Sequence, residues 1–155
     1  MSYNVNDITD HTILRLTSDE SMDLPNLKLQ KILYYIQAWY LVFNNKSLFD
    51  GEFQAWVHGP VNRNVYDRFK DSKYLYSSIT SEDVIKKDIE LQDEIKIHID
   101  NVLDVYAKYS AIELEIMTHR EDPWIEARKG YTPYQRCEVV ISEPLMNKYY
   151  KSRIG

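Results

Sequence analysis

Residues 27–43 read LKLQKILYYIQAWYLVF. Leu29, Leu33, Ile36 and Tyr40 recur at helical spacing, and Ile32, Tyr35, Trp39 and Phe43 form a second stripe beside them. Apolar residues therefore wrap most of the circumference, leaving Lys28, Gln30, Lys31 and Gln37 over. A helix that is apolar on most sides belongs in the middle of a domain. Leu24-Pro25-Asn26 caps it and Asn44-Asn45-Lys46 ends it. The expected fold is mainly α, built around this buried central helix.

Outward from it, Asn6-Asp7 reads as a cap for a first helix reaching Thr17. Phe53 to Val57 alternates and is aromatic-rich, suiting a short strand. His58-Gly59-Pro60 then turns the chain, and Val61 to Lys70 has helical spacing, with Pro60 tolerated near a first turn. Tyr74 to Thr80 is a candidate second strand pairing with the first. Leu91 to Lys108 is an amphipathic helix. Ser110-Ala-Ile-Glu113 is a capping box, Glu121-Asp122-Pro123-Trp124 opens another short helix, and Ser142 caps the last one, with Ile141 and Met146 spaced as a hydrophobic staple. The expectation is a compact bundle of about six or seven helices with a small two-stranded β-hairpin. The chain contains no internal repeat or Gly/Pro-rich linker, so residues 1–155 read as one domain.

Composition narrows the function. A 44% hydrophobic, 28% charged chain is neither disordered nor membrane-spanning. A single cysteine excludes an internal disulfide, and the N-terminus has no signal-peptide pattern, so a cytoplasmic location is expected. A net charge of −5 disfavours broad phosphate-backbone binding. Nucleic acid and membrane are thus not the expected partners. The 13 tyrosines suit surfaces that meet a protein partner.

The chemistry-bearing candidates are sparse. His58 beside Gly59-Pro60 could be a base or a ligand, but no nucleophile motif or acid–base pair accompanies it. Its structural reading is a half-buried imidazole tying a tight turn, which predicts that His58→Ala costs about 1–2 kcal/mol through an unsatisfied buried group. His119-Arg120 reads as a helix C-terminus meeting the dipole, and no two histidines stand four apart to hold a metal. No enzyme activity, cofactor or metal is expected. Tyr131 and Tyr134, between Arg128 and Arg136, have the composition of binding hot spots. With Trp56, His58, Arg63, Tyr66, His119 and Trp124 they make up the candidate partner-binding residues. Arg63, Arg68 and Lys70 leave one alternative, a nucleic-acid-binding regulator with a winged-helix-like unit, which the neighbouring aspartates disfavour.

Several motifs occur in a telling order: Lys28-Leu-Gln-Lys-Ile-Leu-Tyr-Tyr35 continuing to Trp39, Leu48-Phe49-Asp50, Ala55-Trp56 with Gly59-Pro60-Val61, Tyr109-Ser110-Ala111, Thr118-His119 and Pro123-Trp124. This ordered set resembles the Panacea antitoxin domain of SocA-like and phage-associated GepA-like proteins, over nearly the whole chain. The resemblance implies a small, mostly helical bacterial or phage antitoxin that neutralises a toxin encoded beside it by direct binding. It also implies, for some members, delivery of that toxin to a protease. It marks Lys28, Gln30, Tyr34, Gly59 and Pro60 as structural positions and supplies no catalytic residue. Where the family often has a further apolar residue after Gly-Pro-Val, this chain has Asn62-Arg-Asn, a departure that bears on the local surface.

Overall fold

The computed structural model describes residues 2–154. Seven α-helices and one two-stranded antiparallel sheet follow in the order α1 (Val5–Thr17), α2 (Asn26–Asn44), β1 (Phe53–Trp56), β2 (Gly59–Asn62), α3 (Arg63–Phe69), α4 (Asp93–Tyr106), α5 (Ala111–His119), α6 (Asp122–Ala127) and α7 (Glu143–Ser152), with a 3-10 turn at Ser81–Asp83. The fold is mainly α with a small hairpin, as expected.

Helix α2 is the axis of the molecule. Leu29, Ile32, Leu33, Tyr35 and Ile36 have no exposed surface, and α4, α5, α7 and the hairpin all pack against it. Phe43 departs from the expected buried stripe. It is 63% exposed, stacked on the half-buried Trp39 on the face of α2 that is left open, while Tyr40, Leu41 and Val42 beside it are buried.

The polar residues of α2 do not face water as a leftover stripe. Lys28, Gln30, Lys31 and Gln37 are all buried, and each binds the backbone of another segment. Lys28 Nζ donates to the Ala107 carbonyl at 2.6 Å, where α4 ends. Gln30 acts as a neighbouring strand would: its Oε1 accepts from Asn62 N at 2.8 Å and its Nε2 donates to Asn62 O at 3.2 Å. Lys31 Nζ donates to Pro60 O at 2.9 Å. Gln37 accepts from Leu48 N at 2.8 Å and Phe49 N at 3.3 Å, and donates to Phe49 O at 3.0 Å. Buried backbone groups need such partners, so these side chains attach irregular segments to the central rod.

The hairpin differs from the expected corner. Gly59-Pro60 does not start a helix. Val57-His58 is the turn, Trp56 pairs with Gly59, and Ala55 with Pro60. Pro60 stands opposite Ala55, whose own N–H is donated away from β2 to Val139 O, so the pair exchanges no N–H and proline is tolerated there; its carbonyl accepts from Lys31. Helix α3 begins at Arg63, with Asn62 Oδ1 accepting from Asn64 N at 3.0 Å and Val65 N at 3.2 Å. Asn62 is therefore a fully buried cap and not a change of surface.

Residues 74–80 do not pair with β1. Leu75 O and Ser77 O accept from Leu27 N and Asn26 N, and so satisfy the first turn of α2, which has no side-chain cap. The segment beside β1 is 139–141 instead, with Ala55 N donating to Val139 O at 2.9 Å and Ile141 N to Phe53 O at 2.8 Å. The Ser110–Glu113 capping box and the Ser142 cap on Leu145 N lie where expected, and the staple residues Ile141 and Met146 are both buried. Helix α1 starts slightly early, on Asn4, whose side chain accepts from Asn6 N.

Candidate binding groove at the hairpin

A groove of about 530 Å³ opens between the hairpin, the start of α2, helix α3, the 74–75 loop and residues 134–138. Its floor follows from β1 and β2. Trp56 has its indole Nε1 bonded to Gln54 Oε1 at 2.7 Å and stands edge-on to Tyr66, ring centres 4.7 Å apart. Arg63 lies 5.9 Å from the Trp56 ring and 5.7 Å from the Tyr66 ring, within cation–π range of both. The same guanidinium is held by Glu138 at 2.8 Å and Asp67 at 3.2 Å. One planar cation thereby fixes two aromatic faces beside the opening.

Five of the eight candidate residues line this groove: Trp56, His58, Arg63, Tyr66 and Tyr134. Tyr134 is 90% exposed, at the rim. His119, Trp124 and Tyr131 lie behind it. Trp124 donates its indole N–H to Trp56 O at 2.8 Å and stacks on His119, ring centres 4.1 Å apart. Burial holds the His119 imidazole below its ordinary pKa, and its Nε2 meets no hydrogen-bond partner among the described residues. Tyr131 packs by the Arg128 guanidinium, 6.0 Å away. Arg128 is itself buried and donates to Ala55 O at 2.8 Å, Thr132 O at 2.8 Å and Gln135 O at 2.6 Å, which ties the tyrosine-bearing loop to β1.

His58 is not the buried pin expected of it. Its side chain is 49% exposed and its Nδ1 lies 3.1 Å from Glu115 on α5. The pin is Lys31, beneath the same turn. Gly59 has φ +104°, a conformation that favours glycine, and an added Cβ would stand 2.5 Å from Lys31 Cε and 2.9 Å from Thr118 Oγ1. Burial pulls the Lys31 ammonium down to about 7, against a smaller opposing pull from Glu115.

Lys73, Tyr74 and Leu75 also line the groove and carried no binding expectation from the sequence, while Lys70 and Arg136, noted there only as a basic face and as a flank of the tyrosine loop, line it too. The tyrosine surplus was the available signal, but only the fold brings the 74–75 loop to the hairpin. Arg68 is turned inward, paired with Asp10 and bonded to Asp83 O at 2.9 Å, so α3 does not present the three-cation face that a nucleic-acid reading needs. Among the described residues, no group of three or more His, Cys, Asp or Glu is placed to hold a metal ion. No described helix is long and apolar enough to cross a membrane.

A mainly helical frame with an aromatic, cation-bearing groove at its hairpin defines a class in which binding surface is the evident feature. Residues 29–125 match the family described as "Antitoxin SocA-like, Panacea domain", and the chain belongs to that family. A similar protein is Antitoxin SocA of Caulobacter vibrioides (strain NA1000 / CB15N), 31% identical over 125 residues. That match spans 72% of this chain and 64% of the relative's length. No solved structure matches the chain.

Proposed function

We propose that this chain neutralises a cognate toxin protein, encoded by an adjacent gene, by binding it in the hairpin groove, and that it does so in the cytoplasm and without catalysis. The observation that carries the reading is the Trp56–Arg63–Tyr66 cluster, pre-set by Glu138 and Asp67 and left open to a partner. Tryptophan, tyrosine and arginine, already held in place, lose little freedom on binding and dominate interface energies. Membership of an antitoxin family supports the same reading. Co-expression with the neighbouring gene product tests it. The wild-type chain should restore growth and co-purify with that product, while Trp56→Ala combined with Arg63→Glu should do neither and remain folded. A neighbour that is harmless alone would overturn the proposal. Delivery of the bound toxin to a protease is a second step of the same reading, checked by whether the toxin's half-life shortens when this chain is present.

A further inference from the structure

A second groove lies at the other end of α2. Trp39, Phe43 and Asn44 form one wall and α4 the other, with Ile97, His98 and Val105 among its lining residues, around a volume of about 490 Å³. It shares no lining residue with the hairpin groove. Leu27 and Phe43, one in each lining, are about 24 Å apart along the helix by its rise per residue. The floor is rigid: Trp39 Nε1 donates to Tyr106 OH at 2.8 Å, and His98 Nε2 donates to Ile36 O at 2.9 Å. Burial keeps that imidazole below its ordinary pKa. The rim is apolar and uncovered, with Phe43 63%, Ile97 59% and Val105 51% exposed.

We infer that this groove docks an amphipathic helix of a protein partner, its apolar face on Phe43, Ile97 and Val105 and basic residues along its flank. Three observations decide the occupant. Both walls are helices whose backbone groups are already bonded, so no sheet edge is offered to an extended strand. Ile97 and Val105 are about 12 Å apart along α4 by its rise per residue, slightly more than the roughly 10.5 Å between a ligand helix's i and i+7 anchors and within reach of their side chains. The outer side of α4 carries Asp93, Glu94, Asp100 and Asp104 against Lys96, with Lys108 just beyond the helix end, and of those carboxylates only Asp100 has an ion pair among the described residues, with Arg15. A second copy of this chain fits poorly, because a two-fold axis through the groove would set these carboxylates against their own copies.

The proposal stands apart from the hairpin groove. The probe is a fluorescein-labelled helical peptide of about 14 residues, with leucines at i, i+3, i+4 and i+7 and flanking lysines, compared with a twin carrying glutamates on the flanks. At low salt the lysine peptide should bind the full chain at least about tenfold tighter than the twin, by fluorescence anisotropy. Ile97→Glu or Val105→Glu should weaken it by about tenfold or more with the far-ultraviolet circular dichroism unchanged, while Trp56→Ala should leave it untouched. Should Ile97→Glu unfold the chain, Ile97→Ser with the same readout replaces it. Equal binding of the two peptides, binding of neither, or an unchanged affinity in the folded groove variants overturns the inference. So does sedimentation showing a dimer that Ile97→Glu dissociates, which would give the groove to a second copy.

Discussion

Lys31 Nζ donates to Pro60 O across 2.9 Å in a site closed to solvent, so a buried amine of the central helix holds the turn end of the hairpin, as Gln30 holds Asn62 at the other end of β2. Folding lowers this lysine's pKa from 10.5 to about 7. Between those values the unfolded chain binds more protons than the folded one, so this group makes stability rise with pH. Lys31→Met removes that dependence. Its cost relative to wild type should therefore grow from pH 7 to pH 10, by up to about 1.4 kcal/mol per pH unit. Urea unfolding of both proteins across this range checks it, and parallel curves would refute it.

Gly59→Ala should cost about 2–3 kcal/mol, because alanine is strained at φ +104° and its Cβ collides with Lys31. Lys31→Met leaves a side chain with no bond to Pro60, free to move from the new methyl group. The double variant should accordingly lose less than the sum of the two single changes, as measured by denaturant midpoints.

His58→Ala should change stability by no more than about 0.5 kcal/mol, since its pairing with Glu115 is partly solvated. The expected loss of 1–2 kcal/mol rested on a buried imidazole that the fold does not contain. Under the proposed function the same variant should weaken toxin binding, which co-purification at matched stability would reveal.

Glu121 accepts hydrogen bonds from Tyr35 OH at 2.7 Å and Tyr150 OH at 2.8 Å, which joins α7 to the central helix. Burial raises its carboxyl pKa, partly offset by those two phenols. A raised folded pKa means the group's favourable contribution is complete below the unfolded value and declines as pH rises through the folded one. Glu121→Gln keeps an acceptor without the charge, so it should be nearly neutral at pH 7 and fall behind wild type at pH 4. Glu121→Ala should cost about 2–4 kcal/mol at pH 7, since Tyr35 OH loses its acceptor and Tyr150 OH keeps only Tyr34 OH, and more at pH 4, where the protonated carboxyl's contribution is lost as well. Thermal melts at the two pH values separate these outcomes.

Gln37→Leu should be the most damaging of these single changes, at about 3–5 kcal/mol. It leaves Leu48 N, Phe49 N and Phe49 O buried without partners. A loss of cooperative unfolding in circular dichroism would be the visible result.

What this sequence determined by itself is local. Helical spacing placed the central rod, and the Ser110–Glu113 box and Ser142 set two helix starts, because a cap and a stripe depend only on residues within a turn or two. The ordered motifs also carried the family. Tertiary structure alone decided where polar groups go. Gln30, Lys31 and Gln37 sit in the sequence like solvated positions, and they become buried anchors because distant carbonyls and amides of 48–62 are left without partners. Likewise Asn62 is a cap and Pro60 a strand residue only because β2 lies against α2. The groove at the hairpin joins residues from 26 to 138, and no local pattern can encode which distant loops close over one strand. Such choices are made by the requirement that every buried polar group be paired, which acts across the whole fold.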